Sequence, residues 1–138
     1  MNNKVKNKSR SMKPNGRSSY DGGLFLKALH GIFDHPDYIS MKPTAKALLW
    51  DLARQYNLKN NGDLTLAPKV MRKWGWSKST IDRHKSTLLD NNWIFITGHK
   101  PARNGFTYLY GLTWEDIDEC GGKLYPESYK HKRRSIRF

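Results

Sequence analysis

Between residues 67 and 97 the chain carries a pattern that leaves few ways to fold. Val70, Met71 and Trp74, then Gly75 and Trp76, then Ile81 and Leu88 are spaced so that two short helices can close on each other across a turn. Pro68 suits the first helical position, where a missing N–H costs nothing. Gly75 suits the left-handed residue just past a helix end. Ser77 is a good N-cap for the next helix, which runs over about 78–91. Leu88-Leu89 then leads into Trp93-Ile94-Phe95-Ile96-Thr97, a β-rich run. The segment therefore reads as helix, glycine turn, helix, strand.

The flanks supply further elements. A helix starts at Pro43 and places Ala45, Leu48, Leu49, Leu52, Ala53 and Tyr56 on one face, ending near Asn57. Lys46, Asp51, Arg54 and Gln55 lie largely off that face. Asn60-Asn61-Gly62 is a turn signal, and residues 63–66 alternate as a short strand does. Residues 24–29 suit a strand or a helical turn, and 30–40, with Pro36, a loop containing a helical turn. Downstream, 98–105 reads as a polar loop between two glycines. Phe106, Tyr108 and Tyr110 then alternate with Thr107 and Leu109 in a second β-rich run. Residues 113–119 read as a short acidic helix with Thr113 and Asp116 resembling a capping box, ended by Gly121-Gly122.

Charge divides the chain further. The net charge is +13. Residues 1–20 hold six basic residues and no acid, and residues 130–138 hold five and no acid. Like-charged blocks repel themselves and stay disordered until they meet a polyanion. The expected organisation is a disordered basic arm over 1–22, a folded domain over 23–120 and a basic tail over 121–138. Within the domain, segment 69–85 has six basic residues and one acid, a local contrast that marks one basic face. A single cysteine, Cys120, excludes an intrachain disulfide and suits a cytoplasmic protein, nucleoid-associated if the host is bacterial. No apolar run approaches a membrane span, and the basic N-terminus lacks the apolar stretch of a secretory signal.

The element order is helix, strand, helix, helix, strand, loop, strand. Over roughly residues 24–113 the chain resembles the winged helix-turn-helix DNA-binding proteins of phages, plasmids and mobile elements. The matching pieces are Lys42-Pro43-Thr44-Ala45-Lys46-Ala47-Leu48-Leu49, Asn60-Asn61-Gly62-Asp63-Leu64-Thr65-Leu66, Gly75-Trp76-Ser77-Lys78-Ser79-Thr80-Ile81 and Asn92-Trp93-Ile94. Asn92 stands where the family usually has glycine. Met71 and His84 depart from the usual alanine and aliphatic residue. The resemblance implies an α+β fold, a winged helix-turn-helix with a three-helix core and a small antiparallel sheet, flanked here by disordered basic tails. It also implies sequence-specific binding of double-stranded DNA, with the 78–91 helix in the major groove and 98–105 as the wing. Such a protein acts as a transcription regulator or a replication accessory.

Helical periodicity sets Ser79, Asp82, Arg83 and Ser86 on the outer face of the 78–91 helix. Arg83 is the leading base reader, because its guanidinium fork matches guanine O6 and N7. Ser79 and Ser86 suit base edges or phosphates. Asp82 suits either a cytosine amino group or an i, i+4 pair with Lys78, and the pair is the simpler reading. Ser77, Lys78, Ser79 and Thr80 bring hydroxyls and free N–H groups to the helix start, which favours phosphate. Lys69, Arg72 and Lys73 suit backbone contacts that position rather than specify. His99, Lys100 and Arg103 furnish the wing.

The five tryptophans are expected mostly in the core. The histidines lack metal-ligand spacing, and neither cofactor nor metal is expected. Two other readings stand beside DNA binding. One is a winged-helix interaction module binding RNA or a protein partner, with a replication initiator as a further alternative; the DNA-binding reading itself admits a homodimer and a replication or transcription protein as partners. The other is a small nuclease using the acids at 115–119, which lacks any recognisable catalytic motif; no enzyme activity is expected.

Overall fold

The computed structural model describes residues 25–136. It is a mixed α+β domain in which short helices pack against a three-stranded antiparallel sheet. Helices α1 (His30–Asp34) and α2 (Pro36–Ile39) replace the expected loop, and residues 25–29 are irregular. His35 caps α2 by accepting the Asp37 N–H through Nδ1 at 3.0 Å. Helix α3 (Pro43–Ala53) opens on Pro43 as expected and buries Ala45, Leu48, Leu49, Leu52 and Ala53. Strand β1 (Leu64–Thr65) follows, and Gln55 ties it to the end of α3. The Gln55 amide donates to the Thr65 carbonyl at 2.8 Å and accepts the Thr65 N–H at 3.0 Å.

Helix α4 (Pro68–Met71) tightens into a 3₁₀ turn over Arg72–Trp74, and helix α5 spans Lys78–Asp90. Strands β2 (Ile94–Ala102) and β3 (Gly105–Leu112) form a long hairpin, with β3 central in the order β1-β3-β2. Ile32, Leu48, Leu49, Leu52, Leu64, Met71, Ile81, Leu88, Trp93, Ile94, Leu112 and Trp114 share one core. Among the described residues, no helix is long and apolar enough to cross a membrane.

Both ends of the helical pair close in the same way. Gly75, at φ +93°, donates its N–H to Arg72 O at 3.0 Å, and Trp76 N–H reaches Met71 O at 3.3 Å. After α5, Asn92 at φ +61° donates to Leu89 O at 3.1 Å, and Trp93 N–H to Leu88 O at 3.0 Å. These are two Schellman motifs, and both place a left-handed residue at C′. A Cβ on Gly75 would meet nothing within 4 Å, so backbone conformation and not crowding calls for glycine there.

Three expectations need correction. The polar loop over 98–105 is mostly strand: His99 pairs with Tyr108, Lys100 with Thr107 and Pro101 with Phe106, leaving Arg103 and Asn104 as the turn. Pro101 is tolerated because β2 is an edge strand with a spare backbone side. Gly98 sits where the register shifts, and its Cα side lies against Leu124, where an added Cβ would be 3.5 Å from the Leu124 backbone.

Second, residues 113–119 form no helix. Thr113 donates its hydroxyl to the Asn92 carbonyl at 2.6 Å and does not cap. The segment is instead held in an irregular path by Asn61, which is fully buried. Its side-chain amide donates to Leu112 O at 3.1 Å and Asp116 O at 2.9 Å, and accepts the Leu112 N–H at 2.7 Å. Its own N–H reaches the Asp118 carboxylate at 2.8 Å.

Third, the stretch over 121–138 is not a disordered tail as far as residue 136. It continues through 3₁₀ turns at Cys120–Gly122 and Pro126–Lys130 and straps across the domain. Leu124 and Ser128 are buried, Tyr125 N–H donates to Thr97 O at 2.8 Å, and Ile136 packs on the core. The folded unit therefore extends well beyond residue 120. The expected arm over 1–22 lies outside the described residues.

Candidate functional site

The outer surface of α5 is built from its caps inward. The Ser77 hydroxyl accepts the Thr80 N–H at 3.3 Å and so fixes the first turn. Ile81 and Leu88 then lock the helix to the core, and His84, Lys85 and Thr87 lie half-buried along its flanks. What remains outside is the expected stripe of Ser79, Asp82, Arg83 and Ser86, all exposed.

The turn before α5 is anchored from α3. Trp76 donates its indole N–H to the Asp51 carboxylate at 2.7 Å. The Arg54 guanidinium covers the Trp74 ring at 4.4 Å, and Lys73 lies 5.0 Å from the same ring. These contacts use the tryptophans as structural pins, in keeping with their expected packing role. Trp93 and Trp114 lie in the core with ring centroids 6.0 Å apart.

Lys69, Arg72 and Lys73 are exposed on α4 and the turn that follows. With Arg83 they form no ion pair among the described residues. Asp82 holds the other two lysines of the segment: Lys78 Nζ lies 2.6 Å from Oδ2 and Lys85 Nζ 3.4 Å from Oδ1. The hydrogen bond from Lys78 lowers the Asp82 pKa, with the Lys85 charge adding to it. The face thus has an ion-paired centre of net charge +1 and, around it, four cations that form no ion pair among the described residues. An exposed cationic surface of this kind binds polyanions through long-range attraction and charge-assisted hydrogen bonds.

Beside α5 stands the outer hairpin. A cleft of about 330 Å³ separates them, lined on one wall by Lys78, Asp82 and Lys85 and on the other by Phe106, Tyr108 and Tyr110. Burial, with the neighbouring Tyr108 and Asp82, raises the Tyr110 hydroxyl to about 12, so it stays protonated at the cleft floor. His99, Lys100 and Arg103 are exposed on the hairpin. His99 is partly committed, since its Nδ1 shares a 2.6 Å hydrogen bond with the Tyr125 hydroxyl.

The aromatic wall of this cleft is what reading the sequence missed. Alternation of Phe106, Tyr108 and Tyr110 marks a strand, but it does not tell that Tyr110, opposite β1, is buried while Phe106 and Tyr108, beyond the end of β1, are exposed.

Among the described residues, no group of three or more histidine, cysteine or carboxylate side chains could hold a metal ion. Three of the four acids at 115–119 have partners within the fold: Asp118 accepts from the Asn61 N–H, Glu119 accepts from the Gly121 N–H at 3.3 Å, and Asp116 faces Arg133 at 3.5 Å. Cys120 is half-buried with its Sγ 3.6 Å from Asn61 O, and burial with the Asp63 and Asp118 charges pushes its thiol up to about 11. Comparison with family models, with curated proteins and with solved structures gave no match.

Proposed function

We propose that this chain is a winged helix-turn-helix protein that binds double-stranded DNA in a sequence-specific manner. It would serve as a transcription regulator or replication accessory of a mobile element. One observation carries the reading: the exposed stripe Ser79–Arg83–Ser86 runs along α5, a helix of 13 residues, beside exposed cations on α4 and its following turn that form no ion pair among the described residues. A helix of that length spans the major groove, and a free guanidinium midway along it reaches base edges. Lys69, Arg72 and Lys73 then meet phosphates, and the hairpin carrying Lys100 and Arg103 acts as the wing.

Binding-site selection from a random duplex library tests the proposal. An enriched motif supports it, and a palindromic motif would also report a dimer. Arg83→Ala is expected to relax the preference at one base pair by ~1–3 kcal/mol while leaving other positions unchanged. Failure to enrich any motif, with equal affinity for all duplexes, sinks the sequence-specific reading. If Arg83→Ala weakens every duplex alike, α5 is not the reading element.

A further inference from the structure

The cleft beside α5 has a composition that a duplex does not require. Phe106 is 56% exposed and Tyr108 38%, on the outer part of β3 where β1 no longer covers the strand. Their ring centroids are 5.2 Å apart, and His99 lies 5.2 Å from Phe106. Ring packing along β3 and diagonally across the hairpin explains why these residues touch. It does not explain why two large aromatic rings stay in solvent across a cleft from Lys78 and Lys85. Phosphate contacts along a duplex need cations, and its bases are already stacked on each other. An unpaired strand offers the missing partner, since its bases have free π-faces and its phosphates follow the same path.

We infer that this cleft takes an unpaired DNA strand adjoining the bound duplex, with one or more bases stacked on Phe106 and Tyr108 and the backbone held by Lys78 and Lys85. The inference rests on the duplex-binding reading above. It assigns the hairpin a second role: a platform for the strand that leaves the helix at a fork or gap. Lys78 and Lys85 would exchange Asp82 for phosphate, one charge-assisted contact for another.

Fluorescence anisotropy with three probes tests this: the selected duplex with blunt ends, the same duplex with an oligo(dT) tail on either strand, and oligo(dT) alone. The tailed duplex is expected to bind about tenfold tighter than the blunt one, the effect of stacking about one base. The double substitution Phe106→Leu with Tyr108→Leu keeps apolar bulk on the hairpin and removes the rings. It should abolish the tail advantage and leave blunt-duplex affinity and thermal stability unchanged, while Tyr108→Phe alone retains the advantage. Equal affinity of the intact protein for tailed and blunt probes overturns the inference and leaves duplex binding standing. A tail preference that survives the double substitution also overturns it, because the rings would not be the platform. Absence of binding to any blunt duplex would instead defeat the duplex reading itself.

Discussion

Arg83 and Arg134 come from stretches of similar basic composition, and both serve α5, yet the fold uses them in opposite ways. Arg83 projects from the middle of the helix into solvent with no ion pair among the described residues. Arg134 is 15% exposed by side chain and closes the helix at its C-terminal end. It donates to the carbonyls of Asn91 at 2.6 Å and Asn92 at 3.0 Å, pairs with the Asp37 carboxylate, and stacks its guanidinium 4.1 Å from the Trp93 ring centroid. A cation suits this position, where last-turn carbonyls carry partial negative charge. Composition reports that a stretch is basic. What separates an open surface cation from a structural clamp is whether acceptors elsewhere in the chain have already claimed the charge.

The largest effect that separates the two arginines is on stability. Arg134→Ala removes a cap, a half-buried ion pair and a cation–π contact together, and takes from the Asn91 carbonyl its side-chain donor, while the Asn92 carbonyl keeps the Thr113 hydroxyl. The expected loss is about 2–3 kcal/mol, which lowers Tm by roughly 10 °C in a domain of this size. Arg83→Ala should stay within about 0.5 kcal/mol of the parent, as surface substitutions do. Thermal and urea unfolding of both variants makes the measurement. Similar destabilisation by the two would erase the distinction between surface and clamp.

A second probe lies at the start of the strap. Cys120 sits against Asn61 and near Gly62, and its thiol is pushed up to about 11. The thiolate that reacts is therefore scarce at neutral pH and becomes common only as pH rises toward that value. Alkylation of the native protein at pH 8 should therefore run at least about tenfold slower than that of a small free thiol. In Arg134→Ala the rate should rise if residues 120–136 dock as one strap. An unchanged rate would show that its two ends are held independently.

How much of this was legible in the sequence depends on the range of the interactions. The N-cap at Ser77, the left-handed turn at Gly75, the proline starts of α3 and α4, and the outer stripe of α5 all follow from contacts within a few residues, and they stand where periodicity and capping place them. The 113–119 segment and the strap depend on partners far along the chain. Asn61 reaches Leu112 and Asp116 across separations of 51 and 55 residues, and Arg134 reaches Asp37 across 97. Nothing local distinguishes Asn61 from an ordinary turn asparagine. The hairpin fell between these cases. Gly98, Pro101 and Gly105 read locally as loop residues, but pairing with β3 overrode that preference at a sheet edge.

The smallest expected effect concerns Asp82, the one acid on the basic face. Its carboxyl pKa is lowered in the folded state, so its ion pairs with Lys78 and Lys85 are intact throughout the neutral range. They weaken only as pH falls into the range where the carboxylate protonates, and the small stability they supply is lost there too. Both lysines are solvent-accessible, so breaking the pairs should cost well under about 1 kcal/mol. Asp82→Asn removes the negative charge and frees Lys78 and Lys85 for phosphate. Affinity for the tailed duplex should rise by a few fold, and the slope of log affinity against log salt should steepen by up to about 0.9 for each lysine that gains a phosphate. Titration at several salt concentrations reads both. If Asp82 instead accepts from a cytosine amino group, Asp82→Asn lowers affinity for the selected site and spares others. The face would then be a set of base readers with no ion-paired centre, and the contrast with Arg134 would rest on Arg83 alone.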